Sequence, residues 1–469
     1  MKKNNFLVVS FISILFTSGC DKQSSNVSPD ESADATLQTQ TAKPSENNQF
    51  VKVNGSQFYL NDKPYAFLGA NVWYGAYLGS TNADYGDRDR LTRELDFLKA
   101  LGVTNLRVLG ASENSPLRDA MRPAISKKGE VENEDILVGL DFLLAEMAKR
   151  NMKAVIYLNN FWEWSGGMAT YLSWVRDGEF VDMSDPNHPW PEFAWFSAQF
   201  YSEPKAVALF NHYVKTVLTR TNSVTGLAYR DDPTIMSWQL ANEPRPGDGE
   251  ASRPNLPAYY QWIKDTAALI KQHAPNHLVS IGSEGTMGCI NLEECVINAH
   301  TDTGIDYFTF HLWLKNWGWF DVENPEQTFD SALEKAERYI QQHLKIAADL
   351  NMPAVLEEFG LERDRGAFGR EATTVYRDRY FKMVYQIMVD DYASGGPFAG
   401  TNLWAWGGYG VAEHDDAKWR QGDKSFVGDP PQEPQGLNSI FVTDITTLTL
   451  LSDFSDRIDQ VSLSANAEN

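Results

Sequence analysis

Two glutamates that each follow a short apolar run are the residues of this chain best placed to do chemistry. Glu243 comes just after the β-prone run 234–240 and stands before Pro244, which cannot continue a central strand. Glu358 closes a second apolar run, 352–356, and stands before a Phe-Gly pair. Two carboxyl groups brought together at the ends of buried strands can cleave a glycosidic bond, so the pattern points to carbohydrate hydrolysis.

Alternating short apolar and longer amphipathic segments indicate how the two glutamates are positioned. The apolar segments predict strands at 66–72, 103–108, 152–158, 234–240, 277–281, 307–312, 353–358 and 401–406. The amphipathic segments predict helices at 88–101, 134–150, 204–221, 257–273, 331–350 and 375–392. This order predicts the α/β class and a (β/α)8 TIM barrel with enlarged loops, since the first strand lacks the glycine-rich turn of a doubly wound sheet.

The two ends of the chain predict segments outside the barrel. Residues 1–20 carry two lysines directly after Met1, continue with an apolar run too short to span a bilayer, and end on Gly19-Cys20. This resembles a bacterial lipoprotein signal peptide, which implies an exported protein whose membrane contact is a lipid on Cys20; simple secretion is the alternative. The other bounds that we predict are a disordered polar tether at 21–48, a catalytic domain at 49–454 and a loosely attached tail at 455–469.

The composition narrows the range of partners. A formal net charge of −22 argues against nucleic acids, anionic membranes and polyanionic substrates, whereas a neutral polymer is compatible with it. The chain has 14 tryptophans, and several could serve as platforms for sugar rings while the rest pack in the core. Cys289 and Cys295 could form a small loop disulfide or remain two buried thiols. We predict no metal, no cofactor and a monomer.

Five segments in order along the chain resemble the motifs of family-five glycoside hydrolases, and of their β-mannanase subgroup in particular. They are Leu158-Asn159-Asn160-Phe161-Trp162, Trp238–Arg245 with its Asn-Glu-Pro, Phe310-His311-Leu312-Trp313, Glu358-Phe359-Gly360 and Asp429–Gly436. The resemblance covers nearly the whole predicted barrel. It implies retaining endo-hydrolysis of β-1,4-mannosidic bonds in mannan, glucomannan or galactomannan. Glu243 would be the acid/base on strand four and Glu358 the nucleophile on strand seven.

The resemblance also implies roles for four residues around this pair. Arg107, at the end of strand two, would hydrogen-bond the nucleophile and keep it charged, with a structural ion pair as the alternative. Asn242 would contact the 2-hydroxyl of the sugar under attack. His311 would be a site residue, with a satisfied core histidine as the alternative. Trp313 stands where many relatives have a tyrosine that hydrogen-bonds the nucleophile, and its indole N–H could serve instead.

Tryptophans supply the candidate sugar platforms. Trp404 matches the strand-eight tryptophan that lies under the cleavage subsite, and by strand alternation Trp406 would share its face. Trp73 and Trp162 are further candidates. The loop 161–203 is longer than a simple connection between a strand and a helix requires, so we expect it to have a function and to lie on the catalytic face. His414, in the loop after strand eight, could also meet the substrate.

Strand alternation separates two neighbouring glutamates as well. If Glu358 points into the barrel, Glu357 should point toward the helices and need a partner there.

Three other functions stay compatible with the sequence: a β-1,4-glucanase, an exo-acting mannosidase or mannobiohydrolase with a blocked groove, and a non-catalytic glycan-binding lipoprotein. The two intact carboxylates argue against the last of these.

Overall fold

The computed structural model of the protein describes residues 49–188 and 190–465, without the side chains of 463–465. The predicted signal peptide, Cys20 and the predicted tether lie outside these residues. The described part begins with three antiparallel strands, Lys52–Asn54, Gln57–Leu60 and Lys63–Tyr65. Phe58 from this small sheet packs against Phe67, Met236, Leu278, Tyr307, Val355 and Ala399, which closes one end of the central sheet with apolar side chains.

Among the described residues, eight parallel strands form the central sheet, in the order β5-β4-β3-β2-β1-β8-β7-β6. They are β1 (Phe67–Asn71), β2 (Asn105–Leu109), β3 (Lys153–Tyr157), β4 (Ile235–Gln239), β5 (Leu278–Ser280), β6 (Phe308–Leu312), β7 (Ala354–Phe359) and β8 (Phe398–Leu403). The edge strands β5 and β6 approach each other, since Asp306 N donates to Val279 O over 2.9 Å. The sheet is therefore nearly closed into a barrel, and the predicted TIM-barrel class is confirmed.

A helix of the outer layer follows each strand. The helices are α1 (Arg88–Ala100), α2 (Glu134–Lys149), α3 (Pro204–Leu218), α4 (Leu256–His273), α5 (Glu293–His300), α6 (Pro325–Asp349), α7 (Val375–Ala393) and α8 (Ile445–Ala465). Helix α1 shows why such segments are helical, because Leu91, Leu95 and Leu98 are buried on one face and Asp87 Oδ1 accepts from Arg90 N at the start. No helix in the described part of the chain is both long and apolar enough to cross a membrane.

The C-terminal boundary of the catalytic domain differs from the prediction. Helix α8 runs past residue 454 to Ala465, and Phe454 and Ile458 are buried. Ser455 Oγ also donates to Gly102 O over 3.1 Å. The predicted tail 455–469 is therefore wrong as far as Ala465, because its few apolar residues have helical spacing and continue the stripe that begins earlier in α8.

Strand β8 also ends earlier than predicted. It stops at Leu403, and a cis peptide bond joins Trp404 to Ala405. The segment Trp406–Gly408 instead pairs with Ile440–Phe441. Trp406 is fully buried and stacks on Phe97 with ring centroids 5.9 Å apart. The prediction that Trp406 shares a face with Trp404 is wrong, because alternation applies only within a continuous strand.

Candidate active site

Glu243 and Glu358 meet at the carboxyl ends of β4 and β7. A carboxylate oxygen of Glu243 lies within 4.8 Å of a carboxylate oxygen of Glu358. Glu243 is 6% exposed and Glu358 is 3% exposed. Carboxyl pairs in retaining glycosidases are about 5–5.5 Å apart, whereas inverting pairs are about 6.5–9.5 Å apart. Glu243 has a φ of +50°, in the left-handed region that a non-glycine residue adopts only when its surroundings hold it there. The spacing is that of a retaining pair.

Arg107, from β2, is the cation that holds Glu358. Its buried guanidinium donates through Nη1 to Glu358 Oε1 over 2.5 Å and to Asn71 Oδ1 over 3.0 Å. It also donates through Nη2 to Asn242 Oδ1 over 2.7 Å and through Nε to Gln239 Oε1 over 2.8 Å. These bonds satisfy a charge that is costly to bury, and they fix the orientation of Glu358 and of Asn242 together.

Glu243 has a different set of neighbours. Trp162 donates its indole N–H to Glu243 Oε2 over 2.5 Å, and His311 Nδ1 lies 2.6 Å from Glu243 Oε1. The same His311 nitrogen lies 3.4 Å from Glu358 Oε2, so the imidazole bridges the two carboxylates. Burial lowers the pKa of His311 well below its ordinary value, which makes this bridge neutral. The Trp313 side chain lies beside Glu243 and lowers the pKa of that carboxyl group; a hydrogen bond from Trp313 to Glu358, which its indole N–H could have made, is not found among the described residues.

The proton that the pair retains belongs on Glu243. Burial raises the pKa of Glu243, against the opposing charge of Arg245, and burial also raises the pKa of Glu358, against the charge of Arg107. Two carboxylates this close cannot both ionise easily. Since Arg107 donates directly to Glu358, the negative charge is more stable there and the proton is more stable on Glu243.

Glu357 also lies inside the barrel, so the prediction that it faces the helices is wrong. The register between β6 and β7 skips Glu357, which makes it the extra residue of a bulge. Glu357 Oε2 accepts from Gln239 Nε2 over 2.5 Å and lies 3.9 Å from Arg107 Nε. Burial raises the pKa of Glu357 to about 7. The bulge thus turns two consecutive glutamates inward, with Glu357 one layer below Glu358.

Aromatic rings line a cavity of about 560 Å³ above the glutamates. Trp404 is almost fully buried beneath it, edge-to-face with Trp313 at 6.1 Å and with Trp164 at 6.5 Å between ring centroids. Trp162 and Trp404, both predicted as platforms, lie on the cavity wall, as do Asn242 and Trp313. Trp164 was not singled out from the sequence, although it belongs to the long loop 161–203 that was predicted to face the site.

Trp73 is placed differently from the prediction. It is fully buried, donates its indole N–H to Gly428 O over 2.9 Å and packs edge-to-face on Trp164 at 5.7 Å. It is therefore a core residue behind the cavity, and the prediction of a platform at Trp73 is wrong. His414 is not among the residues that line the cavity, and its Nε2 lies 2.9 Å from Asp423 Oδ1.

A cluster beside Glu243, which we call the arginine wall, consists of Trp162, Trp190, Arg245 and Glu284. Of these four residues only Trp162 was predicted as a site residue. Arg245 pairs with buried Glu284 at 2.5 Å and 2.7 Å, and its guanidinium lies 5.1 Å and 5.6 Å from the ring centroids of Trp162 and Trp190. Burial raises the pKa of Glu284 to about 7. Glu284 follows β5 in a segment without a recognisable motif, so no sequence signal marked it as a site residue.

Two groups in the described part of the chain bring metal-ligating atoms close together. They are Glu243, His311 and Glu358, and on the surface Glu413, His414 and Asp423. In the first group Arg107 already supplies a positive charge to Glu358 at 2.5 Å. In the second, backbone N–H groups of the same loop already donate to Glu413. Hydrogen bonding therefore accounts for the arrangement of both groups.

A TIM barrel with a retaining pair of glutamates at the carboxyl ends of its fourth and seventh strands defines a glycoside hydrolase. The chain belongs to glycoside hydrolase family 5, since the model described as GH family 5 beta-mannosidase-like matches residues 48–462. The predicted family resemblance is thereby confirmed.

Individual relatives agree with this assignment. The chain is 30% identical over 382 residues to mannan endo-1,4-beta-mannosidase 8 of Oryza sativa subsp. japonica, covering 78% of this chain and 93% of that one. It is similar to the family 5 mannosidase structure from Rhizomucor miehei, with 34% identity, a TM-score of 0.81, and coverage of 89% and 99%. The endo-1,4-beta-mannanase of the same organism shares the fold, with 22% identity, a TM-score of 0.62, and coverage of 87% and 99%.

Proposed function

We propose that this enzyme hydrolyses β-1,4-mannosidic bonds within mannan chains with retention of configuration, Glu243 acting as acid/base and Glu358 as nucleophile. The observation that carries the proposal is the asymmetry of the pair. The two carboxylates lie within 4.8 Å of each other, yet of these two only that of Glu358 accepts a hydrogen bond from the guanidinium of Arg107. One member is thereby fitted to carry charge and the other to carry a proton.

Hydrolysis then proceeds in two displacements. In the first, a Glu358 oxygen attacks the anomeric carbon and Glu243 gives its proton to the leaving oxygen, so a glycosyl ester forms on Glu358 and the glycosidic bond breaks. In the second, Glu243, now a carboxylate, takes a proton from water as that water attacks the anomeric carbon. The ester breaks, Glu358 leaves as a carboxylate, and Glu243 ends protonated as it began.

Asn242 and Trp404 are placed to hold the sugar during these steps. Asn242 Oδ1 accepts from Arg107 and its Nδ2 donates to Asn160 Oδ1 over 3.1 Å, so the carboxamide is fixed beside the nucleophile. A hydrogen bond from this group to the 2-hydroxyl would strengthen as the oxocarbenium-like transition state forms. The Trp404 ring beneath the cavity offers an apolar surface for the C–H face of the sugar.

Three observations support a mannan substrate. The family model is described as beta-mannosidase-like and matches nearly the whole described chain. The rice relative is named a mannan endo-1,4-beta-mannosidase. The charge of −22 also suits a neutral polymer better than an anionic one.

An exo-acting mannosidase is the second candidate, and a specific observation favours it. The family 5 mannosidase from R. miehei, 34% identical to this chain with a TM-score of 0.81, was also solved as a mutant in complex with the short saccharide mannosyl-fructose. Met183 and Glu433, from the long loops after β3 and β8, both reach the cavity. If these loops close one end of the groove, only a terminal sugar can enter the cleavage position.

Product analysis separates these functions. The protein without residues 1–48 is offered mannohexaose, galactomannan and cellohexaose separately, with Glu358→Ala as the inactive control. Mixed short oligosaccharides from the mannans, with cellohexaose intact, support endo-mannanase action, whereas release of mannose alone supports the exo enzyme. Cleavage of cellohexaose alone would contradict the mannan proposal. The anomer first formed, read by proton NMR, tests retention.

We also propose that the protein is exported and anchored through a lipid on Cys20. The support is the basic start, the short apolar run and the Gly19-Cys20 pair. Growth of producing cells with a radiolabelled fatty acid should label the wild-type chain and leave Cys20→Ser unlabelled. Equal labelling of the two chains, or of neither, would contradict the anchor.

A further inference from the structure

The turn between β5 and α5 is closed by a disulfide and contains an unusual backbone. Cys289 and Cys295, for which the sequence left a disulfide and two thiols open, are joined by a disulfide with Cα atoms 5.7 Å apart. Inside this ring Ile290 and Asn291 have φ values of +49° and +58°. Left-handed backbone is tolerated by asparagine but is a genuine outlier for a β-branched residue such as isoleucine. Strain of this kind persists only where the surrounding structure over-determines it.

Hydrogen bonds close the same turn internally and hold it to helix α6. Asn291 N donates to Thr286 O over 2.8 Å, and Thr286 N donates to Nε2 of His343 over 2.9 Å. The hydroxyl of Tyr339 donates to Glu284 O over 2.6 Å and accepts from Met287 N over 3.3 Å. The ring and these bonds together fix residues 286–295, which we call the disulfide turn.

The disulfide turn brings two side chains to the catalytic cavity. Met287 and Asn291 line it together with Glu284 of the arginine wall. Asn291 is exposed, and its carboxamide makes no hydrogen bond to the part of the chain that the structure describes. A strained, covalently closed turn that ends in a free carboxamide at the cavity rim is suited to bind a ligand.

The position of the disulfide turn relative to Glu243 indicates which part of the substrate this carboxamide would bind. The acid Glu243 must lie beside the leaving oxygen, and the Trp162 ring that donates to Glu243 also lies under Arg245. Arg245 in turn pairs with Glu284, which lies two residues before the start of the disulfide turn. The turn therefore borders the part of the cavity that receives the leaving portion of the substrate.

We propose that the disulfide turn recognises a sugar unit of the leaving chain, with Asn291 as the specificity-determining residue that hydrogen-bonds its hydroxyls. The proposal rests on the proposed function, because it takes Glu243 as the acid. The Cys289–Cys295 bond positions Asn291 by holding the strained backbone on which it stands. A substrate whose leaving group is not a sugar gains nothing from this contact.

The test compares mannohexaose with an activated aryl β-mannoside or mannobioside, whichever the wild type cleaves. Asn291→Ala should lower kcat/KM on mannohexaose about three- to tenfold, the range of one neutral hydrogen bond, and change the aryl substrate less than about twofold. Asn291→Gly removes the side chain without strain, so it should match Asn291→Ala on both substrates. A wild-type result for Asn291→Gly would show that only the backbone matters and would overturn the role of the side chain.

The double variant Cys289→Ser/Cys295→Ser tests the disulfide itself. It should lose activity on mannohexaose selectively, with a raised KM, while the aryl substrate is cleaved as before. Equal losses on both substrates would mean that the bond serves stability alone, which overturns its positioning role.

Asn351→Ala is the matched control for Asn291→Ala and should leave both activities unchanged. Asn351 is also exposed with a φ of +53°, in the connection that leads into the opposite end of β7. If the wild type cleaves no mannoside at all, the proposed function fails and this inference, which rests on it, fails with it; selective or equal losses in the variants of an active wild type concern this inference alone.

Discussion

Arg107 Nη1 donates to Glu358 Oε1 over 2.5 Å, and neither side chain has more than 3% exposure. The same guanidinium orients Asn242 and Gln239, so the proposed nucleophile and its neighbours depend on a single planar donor. A lysine can supply the charge but not this geometry, which makes an Arg-to-Lys change far from conservative here.

Arg107→Lys should therefore lower kcat on the order of 10²-fold, because the nucleophile loses its fixed orientation. It should also destabilise the fold, since removal of one partner of a buried ion pair costs about 3–5 kcal/mol and lysine restores only part of that. Steady-state kinetics and urea unfolding measure the two effects. A variant with normal kcat would contradict the role of Arg107 in positioning Glu358.

Glu243→Gln should separate substrates by their leaving groups. Natural oligosaccharides need protonation of the leaving oxygen, so their kcat/KM should fall about 10²–10⁴-fold, whereas an activated aryl mannoside should lose far less in its glycosylation step. Kinetics on mannohexaose and on the aryl substrate, side by side, check this. Equal losses on the two substrates would remove Glu243 from the acid role.

Glu357 and Glu358 offer a matched pair, because they are adjacent and both turn into the barrel. Glu358→Gln should lose at least about 10⁴-fold in kcat as the attacking carboxylate is removed. Glu357→Gln should keep much more activity, because its carboxylate contacts Gln239 and Arg107 below the cavity. A fluorinated mannosyl fluoride that traps the ester should label the peptide at Glu358. A label on Glu357 would reverse the assignment.

Trp162→Phe should move the alkaline limb of the pH profile. The indole N–H of Trp162 donates to Glu243 and lowers its pKa, so its removal raises that pKa further. With Glu243 as the proposed general acid, its protonated form is the active one, and activity is lost as pH rises through its pKa. The alkaline limb of kcat/KM should therefore shift to higher pH, while the acid limb, governed by Glu358, stays nearly fixed. A shift to lower pH would contradict this account.

The pair Glu243 and Glu358 could be predicted from the sequence because the signal for each residue is local. Glu243 and Glu358 each end an apolar run, and strand ends of a barrel share one face, so their meeting could be predicted. The inward turn of Glu357 could not, since the bulge depends on how β7 pairs with β6. That Trp164 lines the cavity, and not Trp73 as predicted, likewise depends on how the loop after β3 folds.

Contacts between loops were beyond prediction for the same reason. Arg245 belongs to a motif that was recognised, yet its pairing with Glu284 joins the segments after β4 and β5 across the cavity rim. Nothing near Glu284 in the sequence marks a partner. Side chains whose role depends on a distant segment become visible only when the fold is known.

The end of α8 provides a test of the fold itself. A chain that stops at residue 454 loses Ile458, which is buried, and the bond from Ser455 to Gly102 O. It should unfold at lower urea concentration than the whole chain, because loss of one buried aliphatic side chain alone costs about 2 kcal/mol or more. A chain that stops at residue 465 is the control and should match the full length. Ile458→Ala should reproduce much of the effect of the shorter truncation. Equal midpoints for all these chains would show that 455–465 contributes nothing to stability, as the sequence had suggested for a loose tail.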